Sequence, residues 1–511
     1  MTAIEPARTV CVVGSGSMGA GIAQVAATAG HQTLVIDAEP ARAGSAVTDI
    51  RARLRRLTEK GRLTEAEAAA ASERVQPLAS LTELRGEPCG LVVEAIVEDL
   101  AAKRSVFAEL EDLVAEDCVL ASNTSSLSIT EIGARLRRPE RFLGMHFFNP
   151  APLMRLVEIV SGLATEPAVA AAVRDTAAAW GKTPVDVRAT PGFLVNRIAR
   201  PFYAEAFRLA EECAAEPVVI DAVLRDGGGF RMGPFELTDL IGQDVNEAVT
   251  RSVWQSYHHD PRYTPSLAQR ELVAAGWLGR KSGRGMYDYA EGADKPAAPA
   301  IEPGSAPAKV IAHGESAQLG EILTRTGVTV TPADDADPAL SGMAELPSGV
   351  VLAVTDGRLA TVRSARLGRP VVLVDRLGDP AAGSRIAVTA SDGAFPEALA
   401  EVAALLAAGG LTAHRVDDVP GLVVARTVAM LVNSAADALW QQVGGPADID
   451  TAMRLGVNYP SGPLAWGDEW GLGSVVTLLD NLATEYGDGR YRVCPLLRRR
   501  ALTGVPLHAT D

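Results

Sequence analysis

Cysteine and long apolar runs are both scarce in this sequence. Its five cysteines lie far apart and form no C-x-x-C pair, which favours reduced thiols and offers no pattern for a zinc site. We therefore expect neither disulfides nor a metal. No run of about 18 apolar residues is present, and the N-terminus lacks the basic-then-apolar order of a secretory signal. These absences predict a cytoplasmic protein with no membrane span.

Positive charge is the minority charge of the chain. There are 48 lysine and arginine residues against 63 aspartate and glutamate residues, a formal net charge of −15. This balance disfavours nucleic acid as a partner, because nucleic-acid binding needs a basic face that neutralises many phosphates. One basic run does occur, RARLRRLTEKGR at 51–62. It is either a solvated helix face or a local site for an anionic ligand.

The first 40 residues have the pattern of a phosphate-binding β-α-β unit. A strand, TVCVV (9–13), is followed by Gly14, Gly16 and Gly19 in G-x-G-x-x-G spacing and by a helix that closes at Gly30. The glycines let backbone N–H groups approach a pyrophosphate at the positive end of the helix. The alternative is a tight turn with a purely structural role. Strand, glycines and helix in this order favour dinucleotide binding.

The second strand of this unit, TLVID, ends at Asp37. A carboxylate about 20 residues beyond the glycines is placed to accept hydrogen bonds from both ribose hydroxyls of a dinucleotide. The same carboxylate would repel the 2′-phosphate of NADP, and Ala38 offers no cation in its place. We therefore expect NAD to be the cofactor.

Strands and helices continue to alternate up to residue 148. The strands GLVVEAI (90–96), CVLASN (118–123) and FLGMHFF (142–148) are nearly continuous apolar runs, with helices predicted from about 99 to 114 and near 129–137. Such runs suit a parallel sheet covered on both faces, which is the Rossmann type of α/β fold. Ligands of these sheets bind beyond the carboxyl ends of the strands. That edge collects Glu98, the turn SNTSS (122–126), His146 and Asn149.

His146 is one of only seven histidines, and Glu158 follows it among aliphatic residues in RLVEIV. A buried carboxylate without a partner is costly, so Glu158 is either exposed or paired with a nearby donor. Pairing with an imidazole would fix the ring tautomer and raise its proton affinity, which suits a base that takes a proton from an alcohol. The alternative is a hydrogen-bonded core histidine without a catalytic role.

Seven ordered motifs carry a family resemblance, and they cover residues 8 to about 290. They are GSGSMGAGIAQ, VEAIVEDLAAKRSVF, SNTSSLSIT, GMHFFNPAPLMRLVEIV, TPGFLVNR, GGGFRMGPFELTDLIG and LGRKSGRGMYDY. Together they resemble the NAD-dependent L-3-hydroxyacyl-CoA dehydrogenases. The resemblance implies oxidation of a 3-hydroxyacyl-CoA thioester to the 3-oxo product, with His146 and Glu158 as the catalytic pair.

The resemblance also assigns the remaining site residues. Ser125 and Asn196 would hydrogen-bond the reacting oxygen or the thioester carbonyl, although a turn-stabilising hydroxyl and a helix cap are the structural alternatives. Lys60 and Arg53, in the basic run, would contact the CoA phosphates, and Ser125 would also touch the substrate; a serine is common in the family where Arg53 stands. The cofactor contacts would be Gly14, Gly16, Ser17, Met18, Gly19, Asp37, Glu98, Lys103, Ser125, Asn149 and Lys281.

The chain of 511 residues is too long for one core, since single cores rarely exceed roughly 250–300 residues. Residues 291–307 are rich in alanine, proline and glycine and indicate a linker. Beyond it, helices at 316–326 and 394–409 and five short strands predict a smaller α/β domain; the strands are AKVIAHG, GVTVTP, GVVLAVTDG, PVVLVDR and RIAVTA. Its first turn, AHGESAQLG, lacks the glycine fingerprint, so we do not expect it to bind a second dinucleotide.

The last hundred residues repeat an earlier passage. PGFLVNR (191–197) corresponds to PGLVVAR (420–426), and RMGPFELTDLIG (231–242) corresponds to PSGPLAWGDEWG (460–471), both at an offset of 229 residues. This agreement predicts a duplicated helical domain. Asn196 is replaced by Ala425 in the repeat. We therefore expect one NAD and one active site per chain, with the second helical domain mimicking a partner subunit and whole chains able to form homodimers.

The predicted domains resemble the two-module 3-hydroxybutyryl-CoA and 3-hydroxyadipyl-CoA dehydrogenases, the latter associated with bacterial phenylacetate breakdown. The motifs do not distinguish these substrates. Two alternatives remain open, an L-gulonate-type dehydrogenase and a non-catalytic acyl-CoA-binding or structural relative. The domains are a Rossmann domain at 1–188, a helical domain at 189–290, the linker at 291–307, a degenerate Rossmann-like domain at 308–414 and a second helical domain at 415–511.

Overall fold

The computed structural model describes residues 3–294, 296–333, 337–379 and 383–509. The chain forms two compact units. The first contains Met1–Arg197 and Gln441–Val457, and the second contains Ile198–Trp440 and Asn458–Asp511. Among the described residues, no helix combines the length and the apolar character that crossing a membrane requires.

The strands of the described residues build two sheets, one of eight strands in the first unit and one of seven strands in the second. They are β1 Thr9–Val13, β2 Thr33–Ile36, β3 Val75–Leu78, β4 Cys89–Glu94, β5 Val119–Ser122, β6 Phe142–Phe147, β7 Leu156–Ser161, β8 Thr183–Arg188, β9 Lys309–His313, β10 Thr329–Pro332, β11 Met343–Glu345, β12 Val351–Val354, β13 Val371–Val374, β14 Arg385–Ala390 and β15 Thr412–Arg415.

The α-helices flank the sheets and form the helical domains. They are α1 Ser17–Thr28, α2 Pro40–Glu59, α3 Glu65–Arg74, α4 Leu100–Leu113, α5 Ile129–Gly133, α6 Pro167–Ala179, α7 Val195–Ile198, α8 Arg200–Glu211, α9 Pro217–Asp226, α10 Pro234–Ile241, α11 Gln243–Ser256, α12 Leu267–Ala274, α13 Ala317–Thr326, α14 Ala360–Leu367, α15 Glu397–Ala408, α16 Val424–Trp440, α17 Pro446–Gly456, α18 Pro463–Trp470, α19 Leu472–Tyr486 and α20 Pro495–Thr503.

The first sheet has the strand order β3-β2-β1-β4-β5-β6-β7-β8. Strands β1, β2, β4, β5 and β6 are buried along their whole length, because helices cover both faces of the sheet. The Rossmann-type prediction is therefore confirmed. The prediction of a helix near 129–137 was too long, since α5 ends at Gly133, ahead of the Arg138–Pro139 step that disfavours helical backbone.

One strand pair of this sheet departs from parallel order. Strand β7 runs antiparallel to β6, and the register places His146 directly opposite Glu158. The two strands then continue the sheet to β8, which is parallel to β7. The sequence left open whether Glu158 is exposed or paired, and the register supplies the geometric reason for the pairing.

The second sheet is smaller and mixed, with the order β10-β9-β11-β12-β13-β14-β15. The sequence predicted five of these strands and helices α13 and α15, but it missed β11, β15 and α14. Strand β11 has three residues, and β15 has the polar sequence TAHR with only its two central residues buried. Neither has the apolar run that reveals a strand in sequence.

The predicted duplication of the helical domain is confirmed in detail. Helices α9, α10 and α11 start 229 residues before α17, α18 and α19, respectively. The backbone of the preceding turn is also repeated, with Phe193 and Leu422 both at φ +50°. A bulky residue rarely adopts this left-handed conformation, so its recurrence indicates a common origin for the two turns.

Within the second unit, equivalent helices of the two copies pack against each other. Helix α8 contacts α16, and Glu205 on α8 forms a buried ion pair of 3.0 Å with Arg426 on α16. Tyr491 completes the cluster, since its hydroxyl lies 2.8 Å from Glu205 and accepts from Arg426 at 2.7 Å. Contact between equivalent elements is the arrangement that two-fold symmetric dimers use between subunits.

Candidate active site

The glycine loop between β1 and α1 has little room on one side and open space on the other. A methyl group added at Gly19 would lie 1.8 Å from the carbonyl oxygen of Gly14. Helix α1 can therefore lie this close to the loop only because residue 19 is glycine. A methyl group at Gly16, the residue preceding α1, would meet no atom within 4 Å. The backbone at Gly16 is therefore open to a ligand at the positive end of α1.

Asp37 follows β2 at the same edge of the sheet. Its carboxylate accepts hydrogen bonds from the backbone N–H of Ser15 at 2.8 Å and from the Ser15 hydroxyl at 2.5 Å. Partial burial raises the pKa of Asp37, but these hydrogen bonds outweigh it and hold the pKa below the ordinary value. An ionised acceptor beside the glycine loop is the arrangement that fits an adenosine ribose with a free 2′-hydroxyl.

His146 and Glu158 form a buried hydrogen-bonded pair. The imidazole Nδ1 lies 2.6 Å from Glu158 Oε2, and the two residues are 5% and 0% exposed. Since a carboxylate only accepts hydrogen bonds, Nδ1 carries the proton and Nε2 is left as an acceptor. The rings of Phe148 and Phe193 lie 4.7 Å and 5.6 Å from the imidazole ring. The imidazole of His146 is therefore in the tautomer that a general base needs.

The second oxygen of Glu158 is held by the backbone. Oε1 accepts hydrogen bonds of 3.0 Å from the N–H groups of both Leu194 and Val195. These amides belong to the turn at 192–195, where Gly192 and Phe193 have φ of +76° and +50°. Both carboxylate oxygens are thus hydrogen-bonded, and the carboxylate cannot rotate away from the imidazole without losing these bonds.

Glu98 organises the turn at 122–126. Its Oε1 accepts hydrogen bonds from the Thr124 hydroxyl at 2.7 Å and from the backbone N–H groups of Ser125 and Ser126 at 3.0 Å each. Lys103 lies 3.3 Å from the other Glu98 oxygen. Burial raises the pKa of Glu98, but the hydrogen bonds and the charge of Lys103 bring it below the ordinary value. Glu98 therefore fixes the position of Ser125.

Lys103 is 1% exposed, and its amino group also lies 2.6 Å from Glu94. From this buried position its amino group forms an ion pair with the Glu98 carboxylate. Asn196, at the start of α7, donates from Nδ2 to the backbone oxygen of Ser125 at 3.4 Å. Asn149 is exposed just beyond β6. The cofactor contacts of Lys103 and Asn149, and the substrate contacts of Ser125 and Asn196, stay predictions.

Lys281 belongs to the second unit. Its amino group lies 2.6 Å from an Asp244 carboxylate oxygen, and both side chains are partly exposed. Its proposed contact with the cofactor also stays a prediction.

A basic groove of about 700 Å³ lies beside the glycine loop, in the first unit. Ser17 and Gln24 of α1 form one side, and the aromatic ring of Trp180 contributes to the apolar part. Among the residues that the structure describes, the charged ones that line this groove are all cations: Arg53, Arg56, Lys60, Arg62, Arg155 and Lys182. Both predicted CoA contacts are thus on its wall. This supports the anion-site interpretation of the run at 51–62 over a solvated helix face.

The second module repeats the anchoring part of this site without its chemistry. Asp375 follows β13, and its carboxylate accepts from the N–H groups of Val423, Val424 and Ala425 at 2.7–2.9 Å. Val423 and Val424 are the equivalents of Leu194 and Val195, whose amides hold Glu158. Both carboxylate oxygens of Asp375 accept hydrogen bonds from backbone amides. Ala425 occupies the position that is equivalent to Asn196 of the first module.

Sequence reasoning missed three residues that shape the site. Asn123 accepts from the N–H of Phe147 at 2.8 Å and joins the turn at 122–126 to β6. Glu94 accepts from Lys103 and from the Ser122 hydroxyl at 2.6 Å each. Phe193 flanks the imidazole. Glu94 carried a usable signal, since a carboxylate inside an apolar strand demands a partner.

A glycine loop, an ionised carboxylate beside it and a buried His–Glu pair on one sheet are the combination expected of an NAD-dependent dehydrogenase that acts on a hydroxyl group. The sequence model described as "3-hydroxyacyl-CoA dehydrogenase, NAD binding domain" matches residues 9–190. The "3-hydroxyacyl-CoA dehydrogenase, C-terminal domain" matches twice, at 192–289 and 421–510. The "3-hydroxybutyryl-CoA dehydrogenase reduced Rossmann-fold domain" matches 352–420. The chain belongs to the 3-hydroxyacyl-CoA dehydrogenase family, and its cofactor is NAD.

Some relatives match nearly the whole chain and others match little more than half of it. The chain is 45% identical over 496 residues to the 3-hydroxyadipyl-CoA dehydrogenase of Escherichia coli strain K12, covering 97% of this chain and 98% of the relative. It is 43% identical over 284 residues to a probable 3-hydroxybutyryl-CoA dehydrogenase of Bacillus subtilis strain 168, covering 56% of this chain and 98% of that one. The crystal structure of 3-hydroxybutyryl-CoA dehydrogenase from Escherichia coli K12 superposes with a TM-score of 0.88 at 44% identity, covering 97% and 98% of the two chains.

Proposed function

We propose that this enzyme oxidises short-chain (S)-3-hydroxyacyl-CoA esters to 3-oxoacyl-CoA esters with NAD, reversibly, at one active site in its first module. The observation that supports this most directly is the His146–Glu158 pair, held at 2.6 Å on the sheet that carries the glycine loop. The relatives named for 3-hydroxyadipyl-CoA and 3-hydroxybutyryl-CoA make these two thioesters the candidate substrates.

His146 is the general acid/base of the proposed reaction. Its Nε2 accepts the proton of the substrate 3-hydroxyl, and the charge of Glu158 stabilises the imidazolium that results. In the direction of reduction the same nitrogen returns the proton to the 3-oxo oxygen. NAD, when bound, supplies the hydride acceptor. The two backbone amides on Glu158 keep the carboxylate in place, so no reorganisation is needed as the proton moves.

Ser125 and Asn196 position the substrate oxygen in this proposal. The Ser125 backbone is fixed by Glu98, and Asn196 reaches the same turn at 3.4 Å. Donors fixed in this way would hold the reacting groups at a productive distance, which is where much of the rate of such enzymes arises.

The basic groove is the proposed seat of the CoA phosphates. Lys60 and Arg53 are on its wall, and a thioester carrying several phosphates matches a cationic surface better than a small sugar acid does. This observation favours acyl-CoA over the L-gulonate alternative. It does not discriminate the acyl chains.

The second module acts as a built-in partner in this proposal. Its α16 packs against the equivalent α8, and its Asp375 has both oxygens occupied by backbone amides. We propose one NAD and one acyl-CoA per chain, with homodimers of whole chains as a further level of assembly. All five cysteines lie in the described part of the structure and none forms a disulfide there, which supports a cytoplasmic location.

A comparison of substrates tests this function. The rates of NADH-dependent reduction of acetoacetyl-CoA, 3-oxoadipyl-CoA and longer 3-oxoacyl-CoA esters are measured side by side with the purified enzyme. We expect the two short substrates to have the highest kcat/KM, and the larger of these two values identifies the acyl chain. Turnover of L-gulonate without turnover of any thioester would overturn the proposal.

A further inference from the structure

Segment 441–457 belongs by sequence to the second helical domain, yet it is part of the first unit. Its helix α17 packs on β7 and β8, and the N–H of Arg188, at the end of β8, donates to the Val443 oxygen at 2.8 Å. The chain thus covers the edge of the catalytic sheet with a piece of its non-catalytic module.

The reverse contact is present in the second unit. Helix α9 of the first helical domain packs on β14 of the second sheet, and the N–H of Asp417 donates to the Ala214 oxygen at 2.7 Å. Asp417 and Ala214 are the repeat equivalents of Arg188 and Val443 at the offset of 229. The two modules therefore exchange the same helix, each onto the sheet of the other, as subunits of a symmetric dimer do.

Two glycines let segment 441–457 come close to the turn at 192–195. A methyl group at Gly456 would lie 2.8 Å from Leu156 Cδ2 and 3.0 Å from Val195 Cγ2. A methyl group at Gly444 would lie 3.0 Å from Leu194 Cδ1. All three distances are shorter than ordinary van der Waals contact, so a larger side chain at either position would displace these neighbours.

Two of these neighbours hold Glu158 and the third is close to it on the same strand. The amides of Leu194 and Val195 each donate to Glu158 Oε1 at 3.0 Å, and Leu156 lies two residues before Glu158 on β7. The turn also contains Phe193 at φ +50°. A bulky residue in this conformation costs free energy and persists only where the surroundings fix it. Segment 441–457 is part of those surroundings.

We propose that Gly444 and Gly456 of the second helical domain are positioning residues of the active site in the first module. They act through Leu194 and Val195, whose amides fix Glu158 and, through it, His146. The inference rests on the proposed function, because it assigns the second module a part in the same proton transfer. It also gives a physical reason for keeping a module that has lost its own catalytic groups.

Substitution of Gly456 tests the proposal in the full-length enzyme. Gly456→Ala and Gly456→Val are compared with Gly473→Ala, a change on α19 where an added methyl meets no atom within 4 Å. We expect kcat per NADH-binding site to fall progressively, by roughly tenfold to a hundredfold for the valine. KM for NADH should change less than about twofold, since the glycine loop and Asp37 are not touched. Gly473→Ala should match the wild type.

Two outcomes would contradict the positioning role. One is a folded Gly456→Val enzyme with wild-type kcat, and the other is a parallel loss of kcat and NADH binding. If the valine variant does not fold, Val195→Ala combined with Gly456→Ala decides instead: restored space should return kcat toward the wild type, and purely additive losses would refute the coupling. Failure of the proposed function would be distinct, because the wild type itself would then reduce no 3-oxoacyl-CoA.

Discussion

His146 Nδ1 and Glu158 Oε2 lie 2.6 Å apart because β6 and β7 pair antiparallel in a register that sets the two residues opposite each other. The imidazole is therefore oriented by the sheet itself, and its tautomer by the carboxylate. The same carboxylate is anchored by two amides from the turn that opens the helical domain. Glu158 thus links the imidazole of His146 to the turn at 192–195.

Replacing His146 by glutamine should remove the base and leave the cofactor site intact. We expect His146→Gln to lower kcat by roughly 10²–10⁴, the usual effect of a positioned acid/base, with NADH affinity unchanged within about twofold. Steady-state kinetics and fluorescence titration of NADH check both values. Wild-type turnover in this variant would remove His146 from the mechanism.

Asp37 should set the preference for NADH over NADPH. Its carboxylate is ionised at neutral pH, since its pKa lies below the ordinary 3.8, and it would repel a 2′-phosphate. Asp37→Ala should raise KM for NADH and narrow the ratio of kcat/KM between the two coenzymes. A wild-type enzyme that prefers NADPH would contradict this role.

Glu98 should influence turnover through the turn at 122–126. Glu98→Gln loses the charge that accepts several hydrogen bonds and faces Lys103, so kcat should fall by roughly tenfold across the neutral range. In the wild type the ionised form is favoured by folding, because the pKa of Glu98 lies below the ordinary 4.5. The contribution of ionised Glu98 to the free energy of unfolding is therefore complete above about pH 4.5. It is lost only as the pH falls through the lower pKa that Glu98 has in the folded protein.

The pH profile of kcat for the two enzymes between about pH 5 and pH 8 checks this prediction. The ratio of wild type to Glu98→Gln should stay roughly constant over that range. A variant that equals the wild type at neutral pH would show that Ser125 is held by other contacts.

The basic groove should recognise the CoA moiety and not the acyl chain. Lys60→Glu and Arg53→Glu should raise KM for acetoacetyl-CoA several-fold with little change in kcat, and the effect should weaken at high salt. The matched control is Arg55→Glu, an exposed change on the same helix outside the groove. The acetoacetyl thioester of pantetheine, which lacks the adenosine phosphates, should be insensitive to all three changes. Equal effects of the three changes on KM for acetoacetyl-CoA would indicate a general charge effect.

Asn196 and its repeat equivalent Ala425 should differ in their effect on activity. Asn196→Ala should lower kcat/KM for the thioester by roughly tenfold or more, because a donor beside the reacting oxygen is lost. Ala425→Ser adds a small polar group to the equivalent position and should leave kcat per folded chain unchanged. Altered kinetics of the Ala425 variant at unchanged stability would indicate that the second module takes part in substrate binding.

Local patterns in the sequence sufficed to predict the Rossmann-type domain and its cofactor NAD. Gly14, Gly16, Gly19 and Asp37 are close in sequence, and the strand and helix between them have unmistakable apolar periodicity. The pairing of His146 with Glu158 was also within reach, since a lone carboxylate among aliphatic residues requires a donor. The duplication was visible because it contains no gaps.

The contacts that depend on tertiary packing were not predictable from sequence. Nothing local in GGPADID at 444–450 indicates that this segment would join the catalytic sheet, because its partners Arg188 and Leu194 are distant in the chain. The role of Asp375 was hidden for the same reason, since its acceptor function depends on amides nearly 50 residues away. Short polar strands such as β15 were not predicted, because tertiary packing and not the β-propensity of their residues stabilises them.

The formation of NADH from NAD and (S)-3-hydroxybutyryl-CoA, with free (S)-3-hydroxybutyrate and L-gulonate in parallel, tests the central claim most directly. The account predicts rapid NADH formation with the thioester, negligible formation with the two free acids, and loss of the thioester activity in His146→Gln. Comparable NADH formation from a free acid, or thioester oxidation that survives the loss of His146, would contradict it.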